Sequence, residues 1–99
     1  MPNKNYIAGR KLEYKAKKEL ESNDWVVMRT AGSHGPFDLV CVDPEEEFIL
    51  FIQVKSTKSR AACTRLLNEW VERPPIRVCN KYSQELWVWC DGDWHTELA

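Results

Sequence analysis

The sequence predicts an α/β fold, a mixed central sheet flanked by helices with a hairpin at the C-terminus. Three observations carry that expectation. An apolar stripe at helical spacing opens the chain. Two short runs of aromatic and β-branched residues then flank a polar turn. A second helical stripe separates them from further strand-like runs. The order reads α-β-β-β-α-β-β, with a final strand where the chain turns back. A helix between the third and fourth strands allows a right-handed crossover to a parallel neighbour.

Residues 5–22 read as the first helix. Ala8, Leu12, Ala16 and Leu20 recur at i+4 steps, Lys and Glu fill the other faces, and Ser22-Asn23-Asp24 ends it. Trp25-Val26-Val27-Met28 is a first strand running on to Arg29 and Thr30. Residues 31–36, Ala-Gly-Ser-His-Gly-Pro, form a loop of small residues. The second strand is Phe37–Val42 and the third Phe48–Lys55, joined through Asp43-Pro44-Glu45-Glu46-Glu47. Residues 56–59 lead into a second helix at 60–72, whose buried stripe is Ala62, Cys63, Leu66, Leu67 and Trp70. Pro74-Pro75 stops it, because proline cannot continue a helix. Ile76–Cys79 is a fourth strand and Leu86–Cys90 a fifth. Asp91-Gly92-Asp93 is a turn, and Trp94 onward returns as a short hairpin partner.

A chain of 99 residues is expected to form one domain, 1–99, with a small core. Its 43% hydrophobic and 29% charged residues match an ordinary soluble protein. No apolar run approaches membrane-spanning length, and no apolar signal core follows the basic N-terminus, so a cytoplasmic protein without a membrane partner is expected. The net charge of −1 excludes an all-over cationic binder, but the charges are unevenly spread. Residues 4–18 carry Lys4, Arg10, Lys11, Lys15, Lys17 and Lys18 against Glu13 alone, and residues 55–65 carry Lys55, Lys58, Arg60 and Arg65 with no acid. The acids gather at Glu45–Glu47 and in the tail. Such polarity can present a basic face to a phosphate backbone, although solvated helix faces look the same in a sequence. Cys41, Cys63, Cys79 and Cys90 form no Cys-x-x-Cys pair and stand at no zinc-finger spacing from His34 or His95. They read as small buried hydrophobes.

The residues with the most chemistry lie on the second and third strands. Side chains on a strand alternate, so Gln53 and Lys55 share a face. The third strand is apolar enough to be buried on both faces, where a lysine needs a partner, and Asp38 on the neighbouring strand is the expected one. Hydrolysis of a phosphodiester with Mg²⁺ needs hard oxygen ligands, a polarised phosphate and an activated water. Asp38 would be the main ligand, Gln53 would offer its amide oxygen, and the Val54 carbonyl would be a further donor. Lys55 would orient the water or stabilise the phosphorane. Glu13 lies at the edge of the first helix's buried stripe, where it can reach over the sheet or simply pair with Lys17 at i,i+4. Ser33 and His34 sit in the loop before Asp38, with Gly32 and Gly35 permitting close backbone approach to a phosphate. Arg10, Lys17, Arg29, Thr57 and Lys58 are further candidates for backbone contacts. Trp87 and Trp89 share one face of a strand whose other face carries Leu86, Val88 and Cys90, and two apolar faces in so short a chain suggest a subunit interface.

Taken in order, four segments resemble the PD-(D/E)xK nuclease superfamily. They are Gly9-Arg10-Lys11-Leu12-Glu13, Trp25-Val26-Val27-Met28-Arg29, Gly32-Ser33-x-Gly35-Pro36-Phe37-Asp38-Leu39-Val40 and Ile52-Gln53-Val54-Lys55-Ser56. Within it the chain is most similar to archaeal-type Holliday junction resolvases, over about residues 7–60. The resemblance implies a restriction-endonuclease-like αβββαβ core and a homodimeric endonuclease that cleaves branched double-stranded DNA with Mg²⁺, or with Mn²⁺ in its place. It also implies a catalytic set of Glu13, Asp38, Gln53 and Lys55, with Ser33 assisting at the phosphate. The dimer is expected to form through the C-terminal aromatic strand region. In one departure, Gln53 stands where the family carries glutamate, which removes a charge from the metal site; nucleases of the Mrr restriction type resemble this chain in using Gln-x-Lys. Three other readings stay open: a restriction or repair nuclease without junction specificity, a DNA-binding accessory protein whose chemistry has lapsed, and an unrelated small α/β protein such as an antitoxin-like or RNA-processing module.

Overall fold

The computed structural model describes residues 4–30, 37–72 and 82–98. Five strands form one mixed sheet in the order β1-β2-β3-β4-β5, and a helix covers each face. Helix α1 (Lys4–Glu21) precedes β1 (Val26–Arg29), β2 (Leu39–Asp43) and β3 (Phe48–Ser56), which are paired antiparallel. Helix α2 (Arg60–Glu72) then carries the chain across to β4 (Tyr82–Cys90), parallel to β3, and β5 (Asp93–Leu98) returns antiparallel to β4. The expected α/β architecture with a C-terminal hairpin is thus present.

Alternation along β3 divides the core into two layers. Leu50, Ile52 and Val54 point towards α1, where they pack with Ala16, Leu20, Val27, Leu39 and Cys41. On the opposite face α2 buries Cys63 and Trp70 against Leu86, Val88 and Cys90 of β4. The apolar stripes read from the two helices therefore face the sheet from opposite sides.

Local chemistry explains the ends of the helices. At the end of α1 the Trp25 N–H donates to the Leu20 carbonyl at 3.2 Å and the Asp24 N–H to Glu21 at 3.1 Å. This is the paired-bond cap that requires a left-handed residue, and Asp24 takes that place with φ 69°. Helix α2 starts where the sequence places it, because Ser59 is its N-cap. The Ser59 hydroxyl accepts from the Ala62 N–H at 3.3 Å.

Several strand expectations need correction. Strand β2 begins at Leu39, two residues after the expected start, because Phe37 and Asp38 leave the ladder. They keep bonds to both neighbours outside the regular pairing: the Thr30 hydroxyl donates to the Phe37 carbonyl at 2.8 Å, the Thr30 N–H to the Asp38 carbonyl at 3.0 Å, and the Asp38 N–H to the Ile52 carbonyl at 2.8 Å. Strand β4 begins at Tyr82 rather than Leu86. Its polar first half, Ser83-Gln84-Glu85, is held by the backbone ladder to Leu50, Phe51 and Ile52, which asks nothing of side-chain polarity. Asp93, read as a turn residue, opens β5. The expected strand Ile76–Cys79, the Pro74-Pro75 stop and Cys79 lie outside the described residues.

The two apolar faces of 86–90 both find partners within the chain. Leu86, Val88 and Cys90 lie under α2, while Trp87 and Trp89 pack on Trp94 of β5, with ring centroids 5.4 and 5.0 Å away. The aromatic face that suggested a subunit interface thus packs in part on β5 of the same chain, and its tryptophans stay partly exposed. Cys41, Cys63 and Cys90 are buried free thiols. Burial, with a smaller contribution from Glu85, pushes the Cys41 thiol up to about 12, so it stays protonated and is neither nucleophile nor ligand. No helix among the described residues is long and apolar enough to cross a membrane.

Candidate active site at the carboxyl end of β3

Asp38 is the most constrained polar residue of the expected set. Its N–H donates to the Ile52 carbonyl at 2.8 Å, and its carbonyl accepts from Thr30. Its carboxylate Oδ2 accepts from the Val54 N–H at 2.8 Å. Just before it, the Phe37 ring packs on Phe51 with centroids 5.1 Å apart, which anchors the chain at the entry to β2. The aspartate side chain thus takes the Val54 N–H that the departing strand no longer pairs, and this brings it to the Gln53-Val54-Lys55 segment.

The same bond fixes what else faces Asp38. In extended backbone a residue's N–H and C=O point to the same side. The Val54 N–H points to Asp38, so the Val54 carbonyl does too, and the β2 ladder has already ended at the Leu39–Ile52 pair. The other carboxylate oxygen, Oδ1, has no hydrogen-bond partner among the described residues. Asp38 Oδ1 and the Val54 carbonyl are hard oxygen donors at one sheet position, and Gln53, next in the chain to Val54, carries an amide oxygen on the α2 face. That donor chemistry fits Mg²⁺, which needs few protein ligands because it keeps several waters. Among the described residues no three His, Cys, Asp or Glu side chains cluster to hold a metal.

Lys55 departs from the expectation of a buried lysine paired with Asp38. It is exposed, because β3 reaches the end of the sheet there and α2 leaves its outer residues uncovered. Gln53 and Lys55 do share a face, the one covered by α2. Together with Leu66, Glu69 and Trp70 of α2 and Leu86 of β4 they line a cleft of about 170 Å³. Glu69 is a residue that sequence reasoning missed. On a helix it reads as one more solvent-facing acid, and only its i,i+4 relation to Arg65, 4.0 Å away, was visible in the spacing.

Glu13 stands on the other face. It pairs with Arg29 rather than Lys17, Oε1 to Nε at 2.7 Å, and both side chains are largely buried. The hydrogen bond to Glu13 raises the Arg29 pKa, with burial opposing it. Arg29 also donates to the Tyr14 hydroxyl at 3.4 Å and lies over its ring. The Tyr14 hydroxyl is lowered by Arg10 first and then by Arg29. The structure therefore does not bring Glu13 to Gln53 and Lys55. It uses Glu13 to hold Arg29, whose Cα faces Leu39, one residue from Asp38.

Of the other expected contacts, Arg10 lies over the Tyr14 ring at 5.9 Å, and Lys17 is half-buried on α1. Thr57 is tied to the α2 entry, its hydroxyl accepting from the Ser59 N–H at 3.2 Å. Lys58 is exposed beside it. Ser33 and His34, with Gly32 and Gly35, lie outside the described residues.

Strand direction sorts these charges by end. Arg29, Lys55, Lys58 and Arg60 stand at the end where β3 finishes, and α1 runs back past it with Arg10, Lys11 and Lys15. Lys15 sits 3.9 Å from the Trp89 ring centroid at the end of β4. Asp91 and Asp93 share this end, and Asp91 is paired with Arg60 at 3.4 Å. At the opposite end lie Glu21, Asp24, Asp43 and Glu45–Glu47.

Comparisons with known proteins return no match: no family model, no curated protein and no solved structure is similar to this chain.

Proposed function

We propose that the chain is a Mg²⁺-dependent DNA endonuclease on a restriction-endonuclease-like core, acting on branched duplexes such as four-way junctions. The observation that carries this reading is the 2.8 Å bond between Asp38 and the Val54 N–H, which sets a carboxylate beside Gln-x-Lys at a strand end surrounded by cations. In this reading Asp38, the Val54 carbonyl and Gln53 hold Mg²⁺, or Mn²⁺ in its place, and the ion supplies Lewis-acid stabilisation at the scissile phosphate. Lys55, exposed and free to swing, places its ammonium on the attacking water or the phosphorane. Arg29, Lys58 and Arg10 meet neighbouring phosphates, and the sequence adds Ser33 and His34 as candidates for the same contacts. Glu13 is a positioning residue for Arg29. The homodimer of this reading forms through β5, an edge strand with Leu98 exposed.

Cleavage of a labelled four-way junction in Mg²⁺ tests the reading. Wild type is expected to cut the junction in preference to linear duplex. Asp38→Asn and Lys55→Ala are each expected to lower the rate at least 100-fold, and Gln53→Glu to keep or raise it at low Mg²⁺. Uncut junction in Mg²⁺ and in Mn²⁺ would refute it.

A second reading has its own support. Glu13 is engaged by Arg29 and Gln53 brings no charge, so of the ligands expected from the sequence only Asp38 offers a carboxylate oxygen without a partner among the described residues. A DNA-binding accessory protein with lapsed chemistry fits that, and salt-sensitive junction binding without cleavage would select it.

A further inference from the structure

The cleft beside Lys55 adds to Gln53 and Lys55 a carboxylate, Glu69, and an apolar lining that phosphate hydrolysis does not use. Its walls are apolar: Leu66 and Trp70 from α2 and Leu86 from β4. Two groups able to accept hydrogen bonds, the Glu69 carboxylate and the Gln53 amide, stand among them, and Lys55 completes the lining. A volume of about 170 Å³ falls below the roughly 300–1,000 Å³ of pockets that enclose a whole drug-sized ligand. It is room for one ring system, not for a complete nucleotide. Bulk hydrocarbon would leave the Gln53 amide in the cleft without a partner, and a free cation would gain nothing from the leucine walls.

We propose that this cleft receives a single unpaired nucleobase of the bound DNA, held edge-on by Glu69 and Gln53 while Lys55 contacts its phosphate. The inference rests on the reading of the chain as a DNA-binding protein, and it narrows the substrate to DNA with a base free to leave the stack. A flipped base is read through its Watson–Crick edge and held between apolar or aromatic side chains. A carboxylate accepts from an exocyclic amino group, as in the pairing of Glu or Asp with cytosine N4, and a Gln amide pairs with adenine. Cytosine, adenine and guanine carry such an amino group and thymine does not. The cleft therefore favours an amino-bearing base at the position beside the scissile phosphate.

The probe is a four-way junction carrying 2-aminopurine at the exchange point, titrated with protein in Ca²⁺ so that binding is read without cleavage. Wild type is expected to raise the 2-aminopurine fluorescence severalfold. Leu66→Trp, which fills the cleft, and Glu69→Ala, at an exposed position that threatens folding little, are expected to lose most of that rise and to bind about tenfold more weakly than wild type. Thymine in place of cytosine at the same position is expected to weaken wild-type binding about tenfold and Glu69→Ala binding hardly at all. Junction bound without a fluorescence rise, an equal rise in both variants, or no preference against thymine would overturn the proposal. A rise that depends on Glu69 in a protein that never cuts in Mg²⁺ would leave the cleft assigned and remove only the nuclease reading.

Discussion

Asp38 does two things with one side chain. Oδ2 replaces a missing ladder bond to Val54, and Oδ1, without a hydrogen-bond partner among the described residues, is the oxygen that the proposed function gives to the ion. The two can be separated by substitution. Asp38→Asn keeps an acceptor for the Val54 N–H and removes the charge, so it is expected to unfold within about 1 kcal/mol of wild type while cleavage is lost. Asp38→Ala leaves a backbone donor unpaired at the edge of the core and is expected to cost roughly 1–3 kcal/mol in denaturant unfolding. Equal stability of the two variants would show that the carboxylate is not what holds Val54. Glu85 gives a second prediction at this scale. Burial raises its pKa above 4.5, against the opposing hydrogen bond that it accepts from Trp87 Nε1 at 3.1 Å. The folded chain thus holds a proton that the unfolded chain releases, and stability falls as pH rises from about 4.5 through the raised folded value. Glu85→Gln removes that loss. It is expected to melt higher than wild type at pH 7, with the gap closing towards pH 4. A gap independent of pH would rule out Glu85 as the group responsible.

Among the elements, the cap of α1 offers a test of backbone chemistry alone. Asp24 occupies the left-handed region at φ 69°, which costs an L-residue other than glycine roughly 1 kcal/mol. Asp24→Gly is expected to raise the stability of the protein by up to about that amount, read as a shift in denaturant midpoint, without touching the site. The end of α1 was legible beforehand, since Ser22-Asn23-Asp24 interrupts a clear apolar stripe, but the left-handed Asp24 that makes its cap was not. The span of α2 was legible for a similar reason, because its cap and its stripe lie close together in sequence. The start of β2 was not. The Phe37 carbonyl is taken by the hydroxyl of Thr30, just past the end of β1, and no local pattern announces that contact. The first half of β4 was hidden because parallel backbone pairing holds polar residues as well as apolar ones. At the site, the approach of Asp38 to Gln-x-Lys was readable from strand alternation and hairpin order. The partner of Glu13 was not, for Arg29 lies 16 residues away, and neither was the place of Glu69 in the cleft.

The whole molecule separates its chemistry by end and by face. Parallel β3 and β4 finish at the same end, where Lys55, Lys58 and Arg60 collect, and open sheets commonly use that end for ligands. The hairpin between β2 and β3 carries Glu45–Glu47 to the far end, so a net charge near zero still leaves one end cationic. The faces differ as well: α1 brings Glu13, Arg29 and Tyr14 together on one side, and α2 closes the cleft of Gln53, Lys55 and Glu69 on the other. Asp38 and Val54 lie at the sheet end between these two groups. The account turns on a divalent ion binding there, and affinity cleavage with Fe²⁺ measures its position directly. Fe²⁺ and ascorbate, added to the protein–junction complex, release hydroxyl radicals at the ion and cut the polypeptide nearby. The account predicts cuts mapping near Asp38 and near Gln53–Lys55, suppressed by excess Mg²⁺ and absent in Asp38→Asn. Cuts confined to the Glu45–Glu47 hairpin, or an unchanged pattern in Asp38→Asn, would contradict it.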